Sequence, residues 1–228
     1  MRTRDSLGVT IASFTNKETM KIGVSFSLFG SSDHYLKGLE KNFSVMQDVY
    51  PDSTMIVHTD QPERVAGALP EVEIVKHAPS KGLAGTFWRF MSYNDPRFDA
   101  VLFRDADSAV NIREAAAVMG WLGSGLALHT MLDHEHHTES QWPVMAGMWA
   151  ARKGGIPFDF NHLVKWWVSK KEPFKYTSDQ WFLRRYLWPL IASGDGLLHT
   201  SDPRGRWCGE PWPDHEAYGS HVGAQISL

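Results

Sequence analysis

The most informative stretch of the sequence is Phe98-Asp99-Ala100-Val101-Leu102-Phe103-Arg104-Asp105-Ala106-Asp107-Ser108. Its apolar part predicts a buried β-strand over residues 98–104. Asp105 and Asp107 follow where the strand gives way to a turn, so both carboxylates can approach one point. Because Mg²⁺ and Mn²⁺ prefer oxygen ligands, this arrangement predicts a metal site. The alternative is a solvated acidic turn in which Asp107 or Ser108 caps the next helix.

Strands and helices alternate around this stretch. The predicted strands cover residues 20–30, 54–58, 72–76, 98–104 and 126–131. The predicted helices cover residues 34–50, 63–68, 86–93 and 112–122. This alternation predicts the α/β class, with a mostly parallel twisted sheet and helices on both of its faces. Ligands of such sheets bind outside the carboxyl ends of strands, which is where Asp60, Asp105 and Asp107 lie.

The second half of the chain is less regular. Its pattern predicts a strand over residues 144–150, helices over 160–168 and 178–187, a short strand over 197–199 and then a loop-like tail. A length of 228 residues suits one α/β domain. We therefore interpret residues 1–19 as an N-terminal extension and residues 20–228 as a single domain.

Composition excludes several classes of protein. The net charge of −3 does not suit a nucleic-acid partner, which would favour a basic stripe. Cys208 is the single cysteine, so the chain forms no internal disulfide, and a reducing compartment is the simplest interpretation. No apolar run approaches the roughly 20 residues of a transmembrane helix, and residues 1–19 lack the apolar block of a secretory signal. We expect a soluble, cytoplasmic protein, in the host cytoplasm if it is virus-encoded.

Three further segments carry recognisable chemistry. Phe87-Trp88-Arg89-Phe90 lies one strand before the acidic motif, and Met145-Ala146-Gly147-Met148-Trp149 follows it. Ser178-Asp179-Gln180 begins a predicted helix. Together with the acidic motif, these segments resemble the GT-A class of glycosyltransferases, nearest to small soluble bacterial and virus-encoded (chlorovirus-type) members. The likeness spans about residues 20–200, and it implies the GT-A fold for the α/β domain.

The resemblance implies a role for each motif. Residues 20–110 would bind the nucleotide and residues 111–228 the acceptor. Mn²⁺ or Mg²⁺ would be bound by Asp105 and Asp107, with His199 as a candidate third ligand. The donor would be bound by Ser27, Asp60, Arg89, Asp105, Ala106 and Asp107. The catalytic residues would be Arg89, Asp179 and Gln180, and the acceptor side would be formed by His134, Gly147 and Trp149.

Two of these roles have structural alternatives. Arg89 has a fixed fork of donors that suits the sugar or the phosphates, but an ion pair with Asp105 that only orders the site would explain it equally. Ser178 and Asp179 at a helix start would serve as a cap and as a partner of the helix dipole. The cluster Asp133-His134-Glu135-His136-His137 predicts a loop of solvated histidines, with zinc binding or acceptor contacts by His134 or His137 as alternatives.

The resulting hypothesis is a metal-dependent transfer of a sugar from a UDP-sugar donor to a hydroxyl acceptor, such as a glycan. The Asp-Gln helix start resembles that of retaining enzymes, which favours retention. One alternative is a nucleotidyltransferase that makes sugar nucleotides, although Phe29-Gly30-Ser31-Ser32-Asp33 lacks the basic pair expected after the first strand of such an enzyme. A non-catalytic nucleotide- or carbohydrate-binding module is the other.

Overall fold

Seven strands form one sheet in the computed structural model, which describes residues 20–170, 174–213 and 221–226. The strands are β1 (Ile22–Leu28), β2 (Ser53–Thr59), β3 (Glu73–Lys76), β4 (Ala100–Arg104), β5 (Leu128–Leu132), β6 (Met148–Arg152) and β7 (Gly196–Thr200). Their order across the sheet is β3-β2-β1-β4-β6-β5-β7, and only β6 runs antiparallel to its neighbours. The predicted α/β fold with a mostly parallel sheet is confirmed. The extension predicted over residues 1–19 lies outside the described residues.

Helices connect the strands. They are α1 (Asp33–Val49), α2 (Pro62–Ala68), α3 (Ile112–Ser124), α4 (Glu135–Thr138), α5 (Phe160–Lys170), α6 (Ser178–Tyr186) and the short α7 (Trp188–Leu190), which continues into a π-helical turn (Ile191–Asp195). The Asn111 side chain accepts a hydrogen bond from the Glu114 amide at 2.9 Å, so Asn111 caps α3. None of the described helices is long and apolar enough to cross a membrane.

Three sequence-based expectations differ from the structure. The helix predicted over residues 86–93 is a longer 3₁₀ helix (Gly82–Asn94), and its first turn is held by Ser80, whose hydroxyl accepts from the Gly85 amide and donates to the Gly82 carbonyl. The strand predicted from residue 144 begins only at Met148, because the Met148 amide closes a turn onto the Met145 carbonyl. The loop predicted at residues 133–137 contains α4.

Apolar cores cover both faces of the sheet. One core packs α5, α6 and the 3₁₀ helix against the sheet through aromatic rings that include Phe90, Phe160 and Phe182. The other packs α1 and α3 against the opposite face through Leu39 and Trp121. Helices on both faces leave the ends of the strands as the accessible part of the sheet, so the strand ends are where a ligand can enter.

A buried ion pair lies directly behind the acidic motif. The Arg104 Nε donates to the Glu114 Oε1 at 2.6 Å, and the Tyr50 hydroxyl donates to the same oxygen at 2.8 Å. The Arg104 Nη1 also donates to the carbonyls of Phe103 and Trp149 at 2.8 Å. These contacts attach the end of β4 to α3 and β6, and they fix the direction in which the chain leaves β4.

Replacing Glu114 by glutamine should therefore lower the free energy of unfolding by about 3 kcal/mol, because the Arg104 charge would stay buried without its counter-ion. Urea denaturation followed by circular dichroism measures this change. Glu40→Gln on the exposed side of α1 is the matched control, and it should change the free energy by less than about 0.5 kcal/mol. Equal stability of the two variants would contradict the structural role of the ion pair.

Candidate functional site

A cavity of about 880 Å³ opens at the carboxyl ends of β1 and β4. Its walls come from the end of β1, the 3₁₀ helix, the turn after β4, α4, the segment before β6, the start of α6 and residues 221–225. The site residues predicted from the sequence that line it are Ser27, Arg89, Asp105, Ala106, Asp107, His134, Asp179 and Gln180. Segments far apart in the chain thus meet at one edge of the sheet.

Arg89 links two of the predicted carboxylates. Its Nη1 donates to the Asp105 Oδ1 at 2.6 Å, and its Nη2 donates to the Asp179 Oδ2 at 3.1 Å. The Arg89 side chain is 4% exposed, whereas the Asp105 side chain is 41% exposed. The guanidinium therefore lies in the cavity floor, and the Asp105 carboxylate stays open to a ligand.

The backbone of Arg89 is fixed by β1. Its amide donates to the Ser27 hydroxyl at 2.9 Å, and its carbonyl accepts from the Ser25 hydroxyl at 2.8 Å. The Arg89 Nε is buried without a hydrogen-bond partner among the described residues. Ser27, predicted as a donor-binding residue, thus has a structural contact as well: it positions the arginine in the cavity floor.

The turn that carries Asp105 and Asp107 is held from two sides. On one side the Asn42 side chain donates to the Ser108 carbonyl at 3.0 Å and accepts from the Val110 amide at 2.9 Å. On the other side, the Ile226 amide donates to the Asp107 carbonyl at 2.8 Å. This second contact belongs to a short antiparallel bridge between the turn and the C-terminal segment. The turn is therefore anchored before any ligand binds.

The surroundings of the Asp107 carboxylate favour a bound cation. Burial and the neighbouring Asp105 charge raise the pKa of the Asp107 carboxyl above its ordinary value of 3.8. Among the described residues, no ion pair compensates Asp107. A carboxylate that is partly desolvated and lies beside a second carboxylate gains most from a nearby positive charge.

Gly147 allows the backbone before β6 to approach Asp105 closely. A Cβ atom at this position would lie 2.1 Å from the Asp105 Oδ2 and 2.9 Å from the Asp105 amide nitrogen. Real Cβ atoms do not come this close to other atoms, so any larger residue would displace the carboxylate. Gly147, predicted on the acceptor side, therefore contacts the predicted donor side through Asp105.

Asp179 and Gln180 enter the cavity from the first turn of α6. Burial raises the pKa of the Asp179 carboxyl, against the opposing effect of the Arg89 charge, which lowers it. The Gln180 Oε1 is buried without a hydrogen-bond partner among the described residues, so it is available to a ligand hydroxyl. Thr177, just before α6, adopts the left-handed conformation with φ of 70°, a strained geometry that occurs often at functional sites.

Besides Gly147, three of the predicted site residues lie outside the cavity lining. Trp149 is fully buried and stacks on Phe103 at 4.0 Å, so it belongs to the core. His199 is buried on β7, where its Nδ1 shares a hydrogen bond of 2.8 Å with the His129 Nε2, and burial lowers its pKa to about 4. The Asp60 Oδ2 accepts from the Ser80 amide at 3.1 Å, which fixes the loop before the 3₁₀ helix.

The residues present fit a divalent cation bound together with a ligand. Among the described residues, no group of three or more His, Cys, Asp or Glu side chains is arranged to hold a metal by itself. Asp105 and Asp107 line the same cavity and supply carboxylate oxygens, which suits Mg²⁺ or Mn²⁺ when phosphate oxygens and water complete the coordination.

Several residues that line the cavity were not predicted. They include His221 and Gln225 from the C-terminal segment, and Lys175 and Tyr176 before α6. No periodicity or motif marks His221, because it reaches the cavity only through the pairing of the C-terminal segment with the turn after β4. Lys175 belongs to a basic stretch whose sequence alone favours a solvated face.

No protein-family model matches the sequence, and a search of curated proteins finds no match. Similar solved structures do exist. The crystal structure of a glycosyltransferase involved in the glycosylation of the major capsid of PBCV-1 superposes with a TM-score of 0.51 at 15% sequence identity, over 78% of this chain and 81% of that chain. The crystal structure of 4-diphosphocytidyl-2C-methyl-D-erythritol synthase from Anaerococcus prevotii DSM 20548 superposes with a TM-score of 0.50 at 13% identity, over 92% of this chain and 93% of that chain.

At these identities the similarity concerns the fold. The superposition and the mostly parallel seven-stranded sheet agree with the GT-A fold that the resemblance implied. The chain has a GT-A-type α/β fold.

Proposed function

We propose that this protein transfers a sugar from a UDP-sugar donor to a hydroxyl group of an acceptor such as a glycan, with Mn²⁺ or Mg²⁺ as cofactor. One observation carries the proposal: Arg89 joins Asp105, in the acidic turn, to Asp179 at the start of α6, in the floor of one cavity. The Arg89 guanidinium lies between two carboxylates. It can therefore orient a diphosphate on the Asp105 side and a sugar on the Asp179 side.

Asp107 and Asp105 are the proposed ligands of the cation. The bound cation would neutralise the negative charge of the departing diphosphate. Asp107 supports this role through its raised pKa, whose causes are burial and the proximity of Asp105. Asp105 is already oriented by Arg89, so its second oxygen is free to accept from the ribose or to approach the cation.

Arg89, Asp179 and Gln180 are the proposed catalytic residues. Arg89 lies in the cavity floor, where its charge would stabilise the diphosphate as the bond to the sugar breaks. The unpartnered Gln180 Oε1 would accept a hydrogen bond from a sugar hydroxyl and hold the ring in place. Asp179 orients Arg89 from the side of the sugar.

Retention is the stereochemical outcome that we favour. The carboxylates in the lining of the cavity are Asp105, Asp107 and Asp179, and all three belong to the cation and arginine cluster. Under the proposed assignment each of them holds the cation or Arg89, so none is left to remove a proton from an acceptor, as an inverting enzyme requires. An oxygen of the departing diphosphate would then take the acceptor proton.

A nucleotidyltransferase is the second candidate, because the synthase from Anaerococcus prevotii shares the fold over nearly its whole length. Such an enzyme must bind a nucleoside triphosphate. Arg89 and Lys175 are the only arginine and lysine side chains among the described residues that line the cavity, and Arg89 is already paired with two carboxylates. The charge of the cavity therefore suits a diphosphate better.

Asp107→Asn tests the proposal. The variant should weaken Mn²⁺-dependent binding of UDP-sugar at least about tenfold, because loss of groups that support a metal typically costs that much. Isothermal titration calorimetry with and without Mn²⁺ measures the change, and Asp48→Asn on the exposed side of α1 is the matched control. Unchanged Mn²⁺-dependent affinity would refute the proposed metal site. Release of pyrophosphate from a nucleoside triphosphate, rather than UDP from a UDP-sugar, would favour the second candidate.

A further inference from the structure

Four imidazole rings form one wall of the cavity. His134, His136 and His137 come from α4 and its cap, and His221 comes from the C-terminal segment. The ring centroids of His134 and His221 lie 4.5 Å apart, and those of His134 and His136 lie 4.8 Å apart. His137 lies 5.9 Å from His134 and 6.0 Å from His221. We call these four residues the imidazole wall.

Backbone contacts fix the orientation of two of the rings. The His134 Nδ1 accepts from the His136 amide at 3.2 Å, and the His137 Nδ1 accepts from the His134 amide at 3.4 Å. A ring whose Nδ1 accepts a hydrogen bond carries its proton on Nε2. His134 and His137 therefore each keep an Nε2–H donor that no α4 backbone contact uses.

In the part of the chain that the structure describes, the carboxylate beside the imidazole wall is already paired. It is Asp133, whose charge acts on His137 and His221. Both of its oxygens are occupied: Arg113 donates to them at 2.6 and 2.7 Å, and the Val222 amide donates to Oδ2 at 2.9 Å. Glu135 and Glu139 are not part of the cavity lining, whereas Lys175 is. The described residues of the wall and Lys175 thus offer hydrogen-bond donors and a positive charge but no unpaired carboxylate, and this combination suits an anionic ligand.

A metal ion is the other ligand that clustered histidines suggest. Within the described part of the chain, no three of these side chains are arranged to bind one. Asp105 and Asp107 follow β4, whereas α4 follows β5, and β6 lies between these two strands. The three histidines of α4 and its cap therefore enter the cavity from a different strand end than the acidic turn.

We propose that the imidazole wall binds an anionic group, a phosphate or a carboxylate, on the acceptor. The acceptor would thus be an acidic or phosphorylated sugar. Its anionic group would be held by the Nε2–H donors of His134 and His137, by the rings of His136 and His221, and by Lys175. This assignment rests on the proposed function in one respect only, namely that the anion belongs to an acceptor.

Binding of the anion should strengthen as the pH falls. The groups that face His221 are His134, His137 and Asp133, and burial is the main cause that lowers the pKa of His221. Burial likewise lowers the pKa of His137 to about 4, and the neighbouring rings add to this effect. His137 therefore stays neutral at pH 6 and pH 8 and keeps its Nε2–H donor. An anion beside His221 would favour the protonated form of that ring, so proton uptake and anion binding are linked there.

Sulfate is a suitable probe, because its charge does not change between pH 6 and pH 8. Calorimetry with metal-free protein should show sulfate binding at pH 6 that is at least about tenfold weaker at pH 8. His136→Gln and His221→Gln should each weaken binding about tenfold at pH 6, the usual effect of losing a charge-assisted hydrogen bond. His162→Gln, on the exposed side of α5, should leave the affinity unchanged.

Three outcomes decide the assignment. Equal sulfate affinity in His136→Gln, His221→Gln and the His162→Gln control would overturn it, and so would affinity that is the same at pH 6 and pH 8. Asp107→Asn should bind sulfate normally, so a failure of the proposed metal site leaves this test intact. Displacement of sulfate by glucose 6-phosphate or by glucuronate distinguishes a phosphate from a carboxylate, whereas equally strong displacement by uncharged methyl glucoside would contradict anion recognition.

Discussion

Replacing Arg89 by alanine should lower sugar transfer about 10³-fold and lower the free energy of unfolding by about 3 kcal/mol. The loss of activity follows from the position of the guanidinium, since removing one preorganised donor from a reacting charge costs a factor of about 10² to 10³. The loss of stability follows from Asp179, which is 8% exposed and would lose the partner that stabilises its charged form. UDP release under saturating donor measures the first effect, and urea denaturation measures the second.

The two effects need separate controls. Arg97 is exposed and pairs with Glu73 and Asp95. Arg97→Ala should therefore keep full activity and change stability by at most about 1 kcal/mol. Arg89→Lys retains the positive charge but lacks the planar guanidinium that bonds two carboxylates at once. Relative to Arg89→Ala, it should therefore recover stability more fully than activity. If Arg89→Ala were as active as Arg97→Ala, Arg89 would have no role in the reaction, and only the structural ion pair would remain.

Gly147→Ala should lower transfer about 100-fold, although alanine is the smallest possible addition. The new methyl group would overlap the Asp105 Oδ2, so the carboxylate would move away from Arg89 and from the proposed cation. A displacement of about 1 Å at a reacting centre is enough for a loss of this size. Steady-state kinetics at several Mn²⁺ concentrations measures it, and we expect the apparent affinity for Mn²⁺ to fall together with the rate.

Gly123→Ala is the matched control. Nothing lies within 4 Å of a Cβ atom at Gly123 in α3, and alanine favours helix over glycine by about 1 kcal/mol. This variant should be at least as stable as the unmodified protein and fully active. Full activity of Gly147→Ala would mean that the position of Asp105 is unimportant, which would remove Asp105 from the proposed site.

The sequence predicted those parts of the site whose positions follow from the succession of neighbouring residues and elements in the chain. An apolar strand that runs into Asp105-Ala106-Asp107 places the carboxylates at a strand end, and alternating elements require parallel strands whose carboxyl ends meet at one edge. Arg89 and Asp179 were predicted through the resemblance, and the structure places both in one cavity with Asp105. For Arg89, the structure contains the ion pair with Asp105 that the sequence allowed as an alternative role, and the catalytic role stays a prediction.

Other assignments depended on packing that a single sequence does not contain. Trp149 directly follows Met148, which lines the cavity, and only the stacking on Phe103 shows that the indole ring points into the core. His199 ends a strand as a ligand would, but β7 is at the edge of the sheet next to β5, where His129 is its partner. His221 reaches the cavity through a backbone pairing across half of the chain, for which no short-range pattern exists.

That pairing also bears on how the protein folds. The Ile226 amide contacts the Asp107 carbonyl, and the Ala109 amide contacts the Ala224 carbonyl, although these residues are distant in the chain. Contacts of such long sequence separation close late, because the loop-closure entropy must first be offset by other interactions. Nascent or partly refolded chains would therefore possess the sheet before they possess the completed acidic turn, and affinity for the proposed cation would report the last step of folding.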